Sequence, residues 1–309
     1  MKILVTGGTG MVGSTFNNLG SKHTFTLVGS KDYDLSQYAS TVQMIDDHNP
    51  DAIIHLAARV GGVKGNSDFV ADFYSQNTRM NVNILDASHR ADVKKVLSLL
   101  STCVYPDKIT YPLTEDQIHN GSPHPSNFGY AYAKRMLDVQ SRALRQQYGC
   151  NFICAIPNNL YGPRDNFDIE TGHVIPAIIR KVWEAKLNNS QPTFWGEGTA
   201  LREFTYSKDI AQILLFLLEN YNEALPINVG LTNEYSIRDV VYMVCDYLGY
   251  KGDIQWDITK PTGQFRKPSN GKRLIALGWR EESYTPLKTG IKETCDWFLD
   301  NYPNVRGVL

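Results

Sequence analysis

The sequence carries no excess of either charge: 31 Lys and Arg stand against 32 Asp and Glu, a formal net charge of −1 at pH 7. No global field therefore steers the chain to nucleic acid or to an anionic membrane, and any anion it binds must be gripped locally. Cysteine is scarce, with five residues at positions 103, 150, 154, 245 and 295, an odd number without metal-type pairs. Such a count indicates neither a disulfide framework nor a zinc site, so free buried thiols and no bound metal are expected. Long hydrophobic runs are missing as well. The most apolar stretch, IAQILLFLLENY, is interrupted by Gln212 and falls short of the roughly 20 residues of a membrane span. The opening MKILVTGG passes straight into a strand and a glycine turn, leaving no room for a signal or transit peptide. A cytoplasmic enzyme is the expectation.

What is present is enough hydrophobic material, 42% of 309 residues, for one large or two modest cores. KILVT, FTLVG, AIIHLAA, VKKVLSLLST and NFICAIPN are short, apolar and rich in β-branched residues, and helix-length segments separate them. That alternation predicts βαβ units and an α/β fold: a Rossmann-type, doubly wound parallel sheet. After about residue 165 the texture becomes richer in Gly, Pro and Trp, which predicts a smaller C-terminal α/β domain on the substrate side. The expected division is 1–165 for the cofactor domain and 166–309 mainly for the substrate domain. IAQILLFLLENY and PINVG, near 205–232, are expected to return to the main sheet.

Gly7-Gly8-Thr9-Gly10-Met11-Val12-Gly13 follows the first strand directly and is expected to open a helix. Glycines there permit a tight turn and let backbone N–H groups approach a dinucleotide pyrophosphate. The candidate contacts are Gly7, Gly10, Met11, Val12 and Gly13. The second strand ends in Ser30-Lys31, a hydroxyl and an ammonium that suit a ribose 2′-phosphate better than a diol. NADPH is therefore favoured over NADH, although Asp32 lies near the spacing of the acid that reads a 2′-hydroxyl.

Tyr130 and Lys134 stand four residues apart in YAYAKRMLDVQSRALRQQY, which puts them on one helix face. A phenol normally holds its proton to about pH 10, and a neighbouring ammonium is expected to bring it closer to neutrality. Ser101, at a strand end, supplies a second donor to the same carbonyl oxygen. Tyr132 competes with Tyr130, but its partner four residues on is Met136, which cannot tune it.

TGGTGMVG, the HLAA run at 55–58 that contains Ala57, the strand-end serine and YAYAK occur in the order seen in the extended short-chain dehydrogenase/reductases, and the chain resembles that family over essentially its whole length. The resemblance implies a nucleotide-sugar substrate and leaves epimerases, dehydratases, reductases and decarboxylases open. Asp34-Leu35 resembles the family's adenine-side contact. Thr9 stands where certain members place an arginine that reads the cofactor phosphate.

Cys103, two residues after Ser101, discriminates among these chemistries. Dehydratases of the family carry acids just after the serine, where this chain has Thr102-Cys103. A thiol can instead serve as base for a carbon acid beside a ketone once a cation or dipole lowers its pKa. Inverting such a centre needs a second group on the opposite face, and of seven histidines His173, in TGHVIPAIIR, stands out. STCVYP, NFGYAYAKR, NNLYGPRDNF, GHVIPA and WGEGTALREF together resemble the branch of the family that acts on GDP-4-keto-6-deoxy-D-mannose. That resemblance implies 3,5-epimerisation with Cys103 as base and His173 as acid, then reduction at C4 by Ser101, Tyr130, Lys134 and NADPH. It also implies that Arg202 and Lys267, with Lys181, grip the diphosphate, while Trp195 lies against the sugar or base and Asn159 helps hold the hexose. A homodimer through the Tyr130 helix is the expected assembly. The alternatives are another NADP-dependent nucleotide-sugar epimerase or dehydratase, or a cofactor-binding regulator without catalysis.

Overall fold

The computed structural model describes residues 1–260 and 265–309. Its first half alternates strands and helices: β1 (Lys2–Thr6), β2 (Thr24–Val28), α1 (Tyr38–His48), β3 (Ala52–His55), α2 (Val63–Asp68), α3 (Val70–Arg90), β4 (Lys95–Leu99), α4 (Phe128–Tyr148) and β5 (Phe152–Pro157). The chain continues through β6 (Asn159–Tyr161), α5 (Val174–Leu187), β7 (Thr193–Trp195), β8 (Leu201–Tyr206), α6 (Ser207–Asn220) and β9 (Ile227–Val229). It ends with β10 (Glu234–Ser236), α7 (Ile237–Leu248), β11 (Gln255–Asp257), α8 (Lys272–Ala276) and α9 (Leu287–Asn301).

Six strands form one parallel sheet in the order β2-β1-β3-β4-β5-β9. Side chains alternate across it, as the two-residue strand period requires. Ile3, Val5, Ile54, Leu97 and Ile153 meet Ile210, Leu214 and Leu217 of α6 on one face. Leu4, Ile53 and Val96 meet Met44, Ile84 and Leu137 of α1, α3 and α4 on the other. Burial on both faces explains why these strands read as continuous apolar runs. The strand order reverses between β1 and β3, so a crevice opens beyond their carboxyl ends, where doubly wound folds bind ligands.

A smaller unit holds the three-stranded sheet β10-β8-β6 and the two-stranded sheet β11-β7. Its core joins Ile178 and Val182 of α5, Val241 and Val244 of α7, and Ile291 and Phe298 of α9. Among the described residues no helix is long and apolar enough to cross a membrane, and no group of His, Cys, Asp or Glu is placed to hold a metal ion.

One expected element differs. The segment after the glycine loop is a short 3-10 helix, Gly13–Asn18, where an α-helix was expected. The hydroxyls of Ser14 and Thr15 donate to the Met11 and Val12 carbonyls at 3.3 and 2.7 Å, offering the backbone bonds that compete with an α-helical ladder.

His55 ends β3 fully buried, with Nδ1 2.8 Å from Thr6 Oγ1 and Nε2 3.1 Å from Asn81 Oδ1. Asn81 Nδ2 donates to the Ala133 carbonyl at 3.0 Å, so the asparagine oxygen faces the ring and Nε2 carries the proton. Burial, and then the Lys134 charge, push this imidazole down to about 3. The unfolded chain binds a proton here below about pH 6.5 that the fold refuses, so stability falls as pH drops from that point toward 3. The slope is about 1.4 kcal/mol per pH unit. Unfolding free energies from urea melts at several pH values are expected to carry this contribution, and His55→Asn is expected to remove it.

Candidate active site

Ser101 leaves β4 in an extended conformation and caps a single 3-10 turn, Thr102–Val104. Its Oγ accepts the Cys103 N–H at 3.4 Å, so the cap itself folds the cysteine back beside the serine. Cys103 is buried. Burial pushes its thiol up, while the Lys267 charge, a hydrogen bond from Ser101 and the Lys134 charge act the other way.

The helix α4 brings Tyr130 and Lys134 to the same strand end. The Tyr130 ring meets Phe73 edge-on at 6.4 Å. Lys134 is buried and donates from Nζ to the Leu99 carbonyl at 2.7 Å, tying α4 to β4 two residues before Ser101. Burial pushes the ammonium down to about 8, against the opposing influence of Cys103 and Cys154. The expected lowering of the phenol does not occur. Burial, and then Cys103, raise Tyr130 well above its ordinary value, because a phenolate there would lose its hydration and face a potential thiolate. Tyr132 points elsewhere, its hydroxyl 3.5 Å from Ser122 Oγ and its ring under Arg135.

His173 occupies the N-cap position of α5, yet its side chain makes no cap bond. Nδ1 lies 3.2 Å from Oδ1 of the buried Asp165. Burial lowers the imidazole pKa, but the charge and hydrogen bond of Asp165 outweigh it and Arg306, leaving His173 raised. The loop before it leans on residues 61 and 62: Gly62 N donates to Thr171 O at 2.7 Å. A Cβ on Gly61 would lie 3.2 Å from Phe73 Cζ and 3.6 Å from Thr171 O. Phe73 in turn touches Tyr130, so the His173 loop packs on the Tyr130 side of the site.

The glycine loop fits a dinucleotide. Gly7 has φ +69, and a Cβ there would lie 2.9 Å from the Ala57 nitrogen across the β1–β3 crevice. At Gly13 a Cβ would meet the Gly7 carbonyl at 2.3 Å. Gly10 N donates to Gly7 O, while among the described residues the Met11 and Val12 amides donate to no protein acceptor. These amides are the natural donors to a phosphate. At the end of β2, Ser30 and Lys31 are exposed. Asp32 is taken up by the turn, its Oδ2 accepting the Gly29 N–H at 2.7 Å. Asp34 stays at the surface, capping Ser36 N at 2.9 Å, and Leu35 packs into the core beneath.

The residues expected on the substrate side fall mainly in the smaller unit. Asn159 donates to Glu203 O at 2.8 Å, and Lys181 to Thr193 O at 3.0 Å. Trp195 is 51% exposed, with the Lys260 ammonium 6.0 Å from its ring centroid. Arg202 donates from Nη1 to Leu201 O at 2.7 Å and to Phe265 O at 3.3 Å. The ammonium of Lys267 lies within electrostatic reach of Cys103, Arg202 and Asp107, a relation to the thiol that the sequence reading missed. Two further acids were missed. Asp165 sits inside the NLYGPRDNF motif. Buried Glu203 follows Arg202 and accepts from Ser269 N at 2.8 Å and Ser269 Oγ at 2.6 Å, pinning the segment that carries Lys267. Burial pushes Glu203 up to about 7.

Residues 3–230 match the model of the NAD dependent epimerase/dehydratase family. The chain belongs to this family. The chain is similar to the GDP-L-fucose synthase of Dictyostelium discoideum, 42% identical over 98% of this chain and 97% of that one. The GDP-L-fucose synthase of Sinorhizobium fredii is 40% identical over 97% and 96%. Among solved structures, the chain is similar to a GDP-L-fucose synthetase from Naegleria fowleri bound to NADP, 40% identical, with a TM-score of 0.92 over 99% of this chain and 96% of that one.

Proposed function

We propose that this enzyme converts GDP-4-keto-6-deoxy-D-mannose to GDP-L-fucose, inverting C3 and C5 and then reducing C4. The observation that carries this reading is the meeting of Ser101, Cys103, Tyr130 and Lys134 at one strand end, with the thiol folded back beside the reductase serine. The names of the relatives support the same product. Acids for an elimination are absent after Ser101, where Thr102 and Cys103 stand.

NADPH, when bound along the glycine loop with its 2′-phosphate at Ser30 and Lys31, supplies the hydride. The protein handles the protons. Cys103 takes a proton from a carbon beside the C4 ketone, and His173 returns one from the opposite face. Ser101 and Tyr130 donate hydrogen bonds to the C4 oxygen and stabilise the charge that builds there. Tyr130, whose proton is held tightly, gives it up only when the alkoxide forms. Arg202 and Lys267 hold the diphosphate, with Lys181, Asn159 and Trp195 around the sugar nucleotide.

The apolar depression lined by Tyr74, Phe128, Tyr132 and Met136 lies on the outer face of α3 and α4. Tyr74 and Phe128 are nearly half exposed, at 46% and 47%. A second copy covers this face in the proposed homodimer, and Phe128→Glu is expected to shift sedimentation from dimer to monomer. The five free cysteines accord with work in the cytoplasm.

The deciding assay supplies the keto-sugar with NADPH in deuterated water and identifies the product by NMR. Deuterium at C3 and C5 of a C4-reduced sugar is expected. Reduction without deuterium, or no turnover, would overturn the proposal.

A further inference from the structure

Asp165 is 4% exposed and reaches His173 with one oxygen, while among the described residues its Oδ2 has no hydrogen-bond partner. A turn can draw several donors onto one carboxylate oxygen, as Oδ1 of Asp168 accepts from Thr171 N, Thr171 Oγ1 and Glu170 N. Asp165 takes only one turn amide, Asn166 N at 2.7 Å on Oδ1, and otherwise faces the imidazole. A carboxylate only accepts, so Nδ1 of His173 must donate to it and Nε2 is the atom left free to exchange a proton.

The surroundings hold this pair in place. Arg164, at φ +65, turns the chain into Asp165, whose N–H donates to Gly162 O at 3.3 Å. From the far end of the chain, Arg306 O accepts the Phe167 N–H at 2.9 Å. A Cβ on Gly307 would lie 2.3 Å from Asn166 Oδ1. The charged groups facing His173 are thus Asp165 from its own loop and Arg306 from this C-terminal turn.

We propose that Asp165 is the positioning residue of the epimerisation: it fixes His173 as the Nδ1–H form and stabilises its imidazolium, so that Nε2 delivers the proton to carbon. The inference rests on the epimerase reading above. In the step itself the Nε2–H bond breaks as the C–H bond forms, the enolate charge and the imidazolium charge cancel, and the neutral ring takes its next proton from water. The imidazole acts on substrate; Asp165 acts through it.

The test is long-range proton–nitrogen NMR of the 15N-labelled enzyme, with the His173 signals assigned by their loss in His173→Gln. The parent is expected to show the Nδ1–H tautomer and a titration midpoint above the ordinary imidazole value. Asp165→Asn, whose amide can donate to the ring, is expected to reverse the tautomer and lower the midpoint. Deuterium incorporation at C3 and C5 then falls by about 10²–10⁴-fold, the range for a lost general acid or a wrong tautomer, while reduction of the C4 ketone persists. Asp165→Glu is expected to recover part of the exchange. An unchanged tautomer and midpoint in Asp165→Asn would overturn the positioning role whatever the enzyme catalyses. A parent that shows the coupling yet incorporates no deuterium overturns the function proposed above and leaves the pairing supported.

Discussion

Replacing Cys103 by alanine is expected to stop deuterium incorporation at C3 and C5 and leave the C4 ketone reducible, so that the variant releases a 4-reduced sugar that keeps its original configuration at both carbons. Losing a general base costs about 10²–10⁴-fold in the step it serves. The fold should survive, since deleting one sulfur from a buried site costs on the order of 1 kcal/mol. The pH profile carries more information. Burial holds the thiol proton above its ordinary value, and Asp165 holds the imidazole proton above its own. The exchange needs thiolate and imidazolium together, so its pH profile is expected to be bell-shaped, with one limb set by each group. Lys267 is the first of the groups that favour the thiolate. Lys267→Met is therefore expected to move the limb set by the thiol upward and leave the limb set by His173 in place. A thiol limb unchanged by that substitution would leave Lys267 to the diphosphate alone.

The fold was legible because its signals are local or periodic. Strands buried on both faces need unbroken apolar runs, and a turn that admits no Cβ at Gly7 or Gly13 needs glycine. The order Ser101, Cys103, Tyr130, Lys134 was legible for the same reason: a cap two residues long and a helix face four residues long are set by spacing. What failed depends on burial and on distant segments. A tyrosine four residues before a lysine on one helix face reads as a lowered phenol, yet Lys134 spends its ammonium on the Leu99 carbonyl and the interior raises the phenol instead. Lys267, remote from Cys103 in sequence, reads as a phosphate ligand because nothing local reports the thiol it faces. Asp165 was hidden in plain view, since an Asp in a Gly-Pro loop looks like turn chemistry until the His173 ring is seen against it.

Tyr130→Phe is expected to produce the opposite phenotype from Cys103→Ala. The ring and its edge-on contact with Phe73 remain, so stability should change little. The hydroxyl proposed both to donate to the C4 oxygen and to protonate the alkoxide is gone, and Ser101 is left as the single hydroxyl donor of the proposed pair. Loss of an oxyanion donor costs about 10²–10³-fold and loss of a general acid about 10²–10⁴-fold. Because one proton serves both roles, the penalties do not multiply, and a fall of roughly 10³–10⁴ in reduction is the expectation. Proton exchange at C3 and C5 needs only a polarised ketone, Cys103 and His173, so it should persist, and a deuterated 4-keto sugar should accumulate. Normal reduction by Tyr130→Phe would move the acid role to another group. The two variants also test whether the chemistries are separable in space. Each keeps the half that the other lacks, so Cys103→Ala and NADPH, added after Tyr130→Phe has epimerised the keto-sugar, are expected to form GDP-L-fucose as the released ketone is reduced by Cys103→Ala. If product fails to form while both variants keep their single activities, the epimerised ketone does not leave the site, and Tyr130 must act on it where Cys103 and His173 release it.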